Sequence, residues 1–152
     1  MDASFKDFKF AAAAVARDPR GNFMGCTTKI GWANSVDCAE LSAFLLGLEF
    51  PNRFTNLKIR IEGDSLKVVT WINDPTSNIP WNLLAQVRDA RALVSSSDVT
   101  CVSFVHRYCN SVADSLATFA FSCSADDVWS RDFPPTCIEE VIAIEQSSLN
   151  FG

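Results

Sequence analysis

One stretch of the chain decides the fold: Leu57-Lys58-Ile59-Arg60-Ile61-Glu62-Gly63-Asp64-Ser65. Its first six residues alternate between apolar and charged side chains, which is the pattern of a half-buried β-strand. The strand is expected to stop at Gly63, and the apolar spacing after it predicts a helix over Ser65–Ile72. Asp64 is therefore expected at the exit of a strand, on the rim where ligands bind in open α/β folds.

The composition indicates one globular domain with a hydrophobic core. The chain has 152 residues, of which 48% are hydrophobic, including 12 Phe and 4 Trp. No apolar run approaches the ~20 residues that a membrane span needs. The first residues, Met1 to Lys6, lack the basic and apolar regions of a signal peptide. We therefore expect no membrane association and an intracellular protein, nuclear or cytoplasmic.

The net charge and the cysteines restrict which ligands and metals the protein is expected to bind. The net charge of −5 disfavours strong nonspecific binding to nucleic acid. It leaves a metal-dependent nuclease open, because bound cations would offset clustered carboxylates. Six cysteines without a C-x-x-C pair, with a single histidine, disfavour a zinc site. Most of the cysteines have apolar neighbours in the sequence, so we expect small core residues in a reducing compartment.

A hairpin and a helix are predicted before the deciding stretch. A strong turn signal separates two apolar stretches, Phe10–Arg17 and Asn22–Lys29, which we expect to pair. Asp37 followed three residues later by Glu40 has the pattern of a capping box. The helix is expected to end at Pro51. Glu40 falls at the boundary of its buried face, whereas Glu49 falls on the solvent side.

Helices and one strand are predicted after the deciding stretch. They cover about Pro80–Val94 (helix), Val99–Val105 (strand) and Ser111–Phe121 (helix, with Asn110 as N-cap). Asp126–Pro135 is expected to be irregular, and Ile138–Glu145 to form a short terminal helix. We therefore expect a domain over residues 1–124 and a tail over residues 125–152.

Four groups of residues, each containing an acidic residue, follow one another along the chain. They are Asp2-Ala3-Ser4-Phe5-Lys6; Ala39-Glu40 with Ala43 and Gly47-Leu48-Glu49; Glu62-Gly63-Asp64-Ser65 with Val68-Val69 and Ile72-Asn73; and Arg107-x-x-Asn110-x-x-Ala113-Asp114-x-Leu116-Ala117. Over about residues 2–122 the chain resembles the ribonuclease H fold, and most closely the plant-type, retrotransposon-derived RNase H-like domains. The resemblance implies a three-layer α/β/α fold with a five-stranded mixed sheet. Its first three strands would be antiparallel, and the later strands parallel to the first.

The resemblance also implies an activity, the hydrolysis of the RNA strand of an RNA–DNA hybrid by an endonuclease. Its catalytic and metal-binding residues would be Asp2, Glu40, Asp64 and Asp114. Two Mg²⁺ ions (or Mn²⁺) ~3.5–4 Å apart can activate water and stabilise the leaving oxygen of a phosphodiester. By resemblance, Asp2 would bridge both ions and Asp114 would help hold the ion that activates water. Glu40 and Asp64 would hold the leaving-group ion.

Each acid also has a purely structural interpretation. Asp64 could be a turn or cap residue, and Glu40 the second half of a capping box. Asp114 could be a partner of the helix dipole, and Asp2 a frayed terminal residue. Because all four acids occur together in the order of the family, we favour a shared metal site over four separate structural roles.

Weaker candidates for substrate contacts are Ser4, Ser65, Arg107 and Asn110. Arg107 is a candidate for a phosphate contact and equally for a salt bridge to a nearby acid. His106, the only histidine, lies in a short connection. A catalytic role for it and a role in strand-end packing or solvent exposure both stay open.

Tryptophans and basic residues give little further sign of a nucleic-acid surface. Trp32, Trp71 and Trp81 could stack on bases, but the helical spacing of Trp71 and Trp81 favours core packing. Arg88 and Arg91 are the basic residues between Ile72 and Asp98, so hybrid binding is expected to be weak and salt-sensitive.

Three hypotheses remain open from the sequence. The first is an Mg²⁺-dependent, monomeric RNase H-type endonuclease. The second is a domesticated RNase H-like module, catalytically weak or inactive, that binds nucleic acid or protein. The third is a truncated gene fragment, because residues before Asp2 would normally complete the central strand.

Overall fold

The structure is a computed structural model that describes residues 1–50 and 58–150, with side chains up to residue 144. Leu57, predicted as the start of a strand, and Pro51, predicted to end a helix, lie outside the described residues. Within the described ranges, no helix is both long enough and apolar enough to cross a membrane.

Antiparallel strands form the first sheet. They are β1 (Asp2–Lys6), β2 (Lys9–Arg17) and β3 (Phe23–Trp32). The predicted hairpin is confirmed, and β3 continues beyond Lys29 to Trp32. The turn between β2 and β3 is held by Asp18, whose Oδ1 accepts hydrogen bonds from the backbone N–H groups of Arg20 (2.9 Å) and Asn22 (2.8 Å).

A second sheet pairs β4 (Ile59–Gly63) in parallel with β5 (Val99–Phe104). The backbone nitrogen of Met1 donates to the Glu62 carbonyl (3.0 Å), which brings the start of β1 beside β4. Among the described residues, β1 and β4 nevertheless share no ladder, because a parallel ladder needs bonds repeated along both strands. The predicted five-stranded sheet is therefore corrected to two separate sheets, while the mixed α/β class is confirmed.

Five α-helices lie in the described part of the chain. They are α1 (Val36–Glu49), α2 (Leu66–Asn73), α3 (Leu84–Ser96), α4 (Ser111–Cys123) and α5 (Thr136–Asn150). Short 3₁₀ turns, Trp81–Leu83 and Arg107–Cys109, lead into α3 and α4. The predicted order of helices is confirmed, and the terminal helix α5 is longer than expected.

Helices cover both faces of the first sheet because consecutive residues of a strand point to opposite faces. In β2, Ala12 packs in a cluster with Ala39 and Ala43 of α1. The next residue, Ala13, packs in another cluster with Leu116 of α4. The small side chains of β2 let both helices approach the sheet closely, which gives the predicted three-layer arrangement.

A hydrophobic cluster joins α1, α2 and α3 to the second sheet. Its buried members include Leu41, Phe44, Ile61, Val68 and Val87. Gly63 at the end of β4 faces the Phe44 ring so closely that an added Cβ would lie 2.8 Å from it. The absence of a side chain at Gly63 therefore lets the end of β4 pack against α1.

Two local predictions are wrong. Ser35, rather than Asp37, caps α1, and its Oγ accepts from the Cys38 N–H (3.2 Å) because the helix begins earlier than the capping-box pattern suggested. Val128–Ser130, expected to be irregular, forms β6 and extends the first sheet by pairing with β3.

The C-terminal helix packs against the domain, because Ile138 of α5 is buried in the same cluster as Leu116 of α4. The predicted domain boundary at residue 124 stays a prediction.

Burial differs from the prediction at several cysteines and one tryptophan. Cys26 is buried, but Cys101, Cys109 and Cys123 are exposed, so the expectation that most cysteines are core residues is wrong. Trp71 is buried as predicted. Trp81 is 88% exposed, because the 3₁₀ turn that carries it does not continue the buried face of α3.

Candidate active site

Asp2 is a buried acid at the start of β1, with only 2% of its surface exposed. Its Oδ1 accepts a hydrogen bond from the Ala3 N–H (2.8 Å). Its Oδ2 has no hydrogen-bond partner among the described residues. A buried carboxylate oxygen without a partner is energetically unfavourable unless a ligand meets it.

Glu40 and Asp64 lie beside Asp2. Glu40 is on α1, and Asp64 directly follows the end of β4. One carboxylate oxygen from each of the three residues lies within 4.8 Å of the other two. The contact between Gly63 and Phe44 positions the end of β4 against α1, and this packing brings the two acids together. Glu49, at the far end of α1, is exposed as predicted.

Asp114, the fourth acid predicted for the site, lies in the first turn of α4. It is not part of the group of three acids, and its side chain is 40% exposed. Its Oδ1 accepts from the Arg107 guanidinium (3.4 Å). Asp114 nevertheless lies close enough to Asp2 to raise the pKa of the Asp2 carboxyl.

Burial and like charge make the site electrostatically unfavourable. Burial, the negative charge of Asp64 and the nearby Asp114 raise the pKa of Asp2 to about 7. Burial, followed by the charges of Asp2 and Asp64, raises the pKa of Glu40 to about 8. Both shifts have the causes expected for carboxylates that share a poorly hydrated site. A bound cation would relieve this repulsion.

The donor set fits a hard divalent cation. The three converging side chains offer only carboxylate oxygens, which are the ligands that Mg²⁺ and Mn²⁺ prefer. The Oδ2 of Asp2, which has no hydrogen-bond partner among the described residues, is free to bind such a cation. The residues present therefore fit a magnesium-type site.

Two predicted substrate contacts have structural roles. The Asn110 side chain donates to the Met1 carbonyl (2.7 Å), so it ties the start of β1 to the start of α4. It makes no side-chain cap to α4, although it occupies the predicted N-cap position. The Ser65 hydroxyl accepts from the Val68 N–H (3.4 Å) and caps α2. Substrate contact by the half-buried Ser4 stays a prediction.

Arg107 and His106 precede α4 on the surface. Arg107 forms the salt bridge that was one of its two predicted roles, and Asp114 raises the pKa of its guanidinium. Solvent exposure, one of the two alternatives for His106, is what the structure shows. The His106 ring is stacked on Tyr108 and meets Phe104 edge-on. This aromatic group was not predicted, although aromatic rings at positions 104, 106 and 108 were a visible signal in the sequence.

The strand and helix order, with acids converging from β1, α1 and the end of β4, defines an RNase H-like domain. The family profile described as reverse transcriptase-like matches residues 1–120. The chain therefore belongs to the reverse transcriptase-like family, and the predicted resemblance to RNase H-like domains is confirmed.

Solved structures share this fold at low sequence identity. RNase H1 from the halophilic archaeon Halobacterium salinarum has 22% identity and a TM-score of 0.73, with 82% of this chain and 95% of that chain covered. The N-terminal RNase H domain of rv2228c from Mycobacterium tuberculosis has 20% identity and a TM-score of 0.70, with 81% and 91% covered.

A third similar structure contains a nucleic acid. LC11-RNase H1, isolated from compost, was solved in complex with an RNA/DNA hybrid. It has 15% identity to this chain and a TM-score of 0.71, with 81% of this chain and 94% of that chain covered. No curated protein matches the chain by sequence.

Proposed function

We propose that this domain is a divalent-metal-dependent endonuclease that hydrolyses the RNA strand of an RNA–DNA hybrid. The observation that carries the proposal is the convergence of Asp2, Glu40 and Asp64, together with a buried Asp2 oxygen that has no hydrogen-bond partner among the described residues. The RNase H fold supports it, and so does the RNA/DNA hybrid bound by LC11-RNase H1. The proposed cofactor is a pair of Mg²⁺ ions, with Mn²⁺ as a substitute.

The acids have distinct roles in this proposal. Asp2, Glu40 and Asp64 would hold the cations, with Asp114 as an outer ligand on the water side. The bound cations would supply an activated water and stabilise negative charge on the leaving oxygen. Burial excludes bulk water from Asp2, so its carboxylate interacts strongly with positive charge. Arg107 orients Asp114 through their salt bridge and exposes the rest of its guanidinium for a phosphate.

A cleavage assay with matched variants tests the proposed reaction. We expect the wild type to cut a labelled RNA–DNA hybrid with Mg²⁺ or Mn²⁺ and to leave DNA–DNA and RNA–RNA duplexes intact. Asp64→Asn should abolish cleavage, whereas Asp89→Asn, an exposed acid on α3, should leave it unchanged. Cleavage that is absent in the wild type, or that persists in Asp64→Asn, would contradict the proposal.

One observation favours a second candidate, a domesticated module that binds nucleic acid or protein without efficient cleavage. Arg91, one of the basic residues considered for hybrid binding, donates to the backbone carbonyls of Trp71 (2.9 Å) and Asp74 (3.0 Å) within the protein. The net charge of −5 also disfavours tight hybrid binding. Binding of a hybrid without turnover at any metal concentration would support this candidate.

We further propose a retrotransposon-derived plant origin, an intracellular location in nucleus or cytoplasm, and a monomeric state. The origin and the location rest on the resemblance and on the composition of the sequence alone. The monomeric state is tested by sedimentation across a range of protein concentrations. A sedimentation coefficient that rises with concentration would contradict it.

A further inference from the structure

An exposed column of three aromatic rings follows the last strand of the second sheet. The rings of His106 and Tyr108 are stacked, with centroids 5.5 Å apart and an interplanar angle of 5°. Phe104 meets His106 edge-on, with centroids 5.3 Å apart. Phe104 is 37% exposed and Tyr108 is 79% exposed. The column therefore ends in an aromatic ring that is open to solvent.

The column begins at the same sheet edge as the acids. Phe104 lies opposite Gly63 in the register of β4 and β5, and the Val105 N–H donates to the Gly63 carbonyl (3.0 Å). Asp64 is the next residue after Gly63. Arg107, between His106 and Tyr108 in the sequence, pairs with Asp114. The column is thus connected to Asp64 through Gly63 and to Asp114 through Arg107, and both acids are proposed to act on RNA.

We propose that this column is a stacking site for an unpaired base of a single-stranded nucleic acid, adjoining the hybrid that the acids cut. This inference rests on the proposed function. An exposed aromatic face accepts any nucleobase by stacking. The Arg107 guanidinium, on the same turn and largely exposed, offers positive charge to the neighbouring phosphate. A flat π-surface beside a cation matches a base and its phosphate.

Tyr108 allows a direct test because it is the only tyrosine in the chain. Protein labelled with 3-fluorotyrosine should give one ¹⁹F signal, which is recorded without metal ions and at low salt. Addition of oligothymidylate should shift this signal, whereas an abasic strand of the same length should not. Fluorescence anisotropy should show oligothymidylate binding about tenfold weaker in Tyr108→Ala, and within about twofold of wild type in Tyr108→Phe.

Controls separate base stacking from binding through phosphate charge alone and from self-association. Phe133→Ala, which removes an aromatic ring of similar exposure outside the column, should leave binding unchanged. An unshifted ¹⁹F signal, or an equal shift with the abasic strand, overturns the inference. Self-association that Tyr108→Ala abolishes also overturns it, because the column would then bind a second copy of the chain. A protein that cuts no hybrid but shows the base-dependent shift keeps this inference and loses the proposed nuclease function.

Discussion

The acid group and the hydrophobic cluster beneath it use the same elements in opposite ways. Leu41 and Phe44 of α1 pack with Ile61 of β4, and all three are almost completely buried among apolar partners. Glu40, adjacent to Leu41, is instead held beside Asp64, where burial and then the charges of Asp2 and Asp64 raise its pKa. Neighbouring positions on one helix therefore contribute separately to the hydrophobic cluster and to the acid group.

The difference between the two regions predicts opposite consequences of substitution. In the cluster, every removed atom leaves unfilled space, so substitutions should lower the free energy of unfolding. In the acid group, removal of one charge relieves repulsion, so substitutions should stabilise the metal-free protein while they damage metal binding.

The largest effect on stability is expected in the cluster. Phe44→Ala should lower the free energy of unfolding by about 3–5 kcal/mol, because Phe44 is 1% exposed and its loss leaves a cavity. Urea denaturation measures the change. Phe133→Ala, at a ring that is 77% exposed, is the control and should change stability by less than about 0.5 kcal/mol. Similar losses in both variants would show that burial does not distinguish the two positions.

The second prediction concerns Asp2→Asn, which keeps the shape of the side chain and removes its charge. Hybrid cleavage should fall by at least about 100-fold, since loss of residues behind a metal ligand already costs 10–100-fold. At about pH 9, where the Asp2 carboxylate is ionised, the metal-free variant should melt at a higher temperature than the wild type. A variant that loses activity and also melts at a lower temperature would contradict the expectation that substitutions in the acid group stabilise the metal-free protein.

The third prediction is a pH dependence of stability. The folded-state pKa values of Asp2 (about 7) and Glu40 (about 8) are above their unfolded values, so the folded state holds these protons more tightly. The stability that this protonation contributes is complete near about pH 4 and is lost as the pH rises through 7 to 8. The melting temperature of metal-free protein should therefore fall between about pH 5 and pH 9. Mg²⁺ should reduce that fall. A melting temperature that rises with pH in EDTA would contradict the raised pKa values of Asp2 and Glu40.

The smallest expected effect is the difference in stability between substitutions at two glutamates of α1. At about pH 9, Glu40→Gln should raise the melting temperature of metal-free protein, because it removes a charge that faces Asp2 and Asp64. Glu49→Gln, at the exposed end of the helix, should change stability by less than about 0.5 kcal/mol. Differential scanning fluorimetry distinguishes the two. Equal responses would mean that the position of Glu40 carries no electrostatic penalty.

Much of the fold was predictable because local patterns agree with the tertiary structure. The alternation before Gly63 predicted β4, and the turn around Asp18 predicted the hairpin of β2 and β3. β6 was missed because Val128–Ser130 is too short to show a period, and its partner β3 is about a hundred residues away. Trp81 was misplaced because a 3₁₀ turn breaks the helical wheel that the prediction assumed.

The acid group was predictable for a different reason. The order of Asp2, Glu40 and Asp64 along the chain resembles a family pattern, and the structure brings their oxygens together. Their pKa values were not predictable, because burial depends on how α1 and the end of β4 pack. The use of Asn110 to hold the Met1 carbonyl was equally invisible, since the sequence favoured its role as a helix cap.

The alanine row of β2 has a consequence for ion size. Ala12 and Ala13 determine how near α1 and α4 come to the sheet, and these helices carry Glu40 and Asp114. Oxygen ligands lie about 0.3–0.5 Å closer to Mg²⁺ than to Ca²⁺. A bulkier side chain at either alanine would move one of these helices away from the sheet. In the proposed enzyme, the preference for one of these cations over the other would therefore depend on β2 side chains that are not ligands.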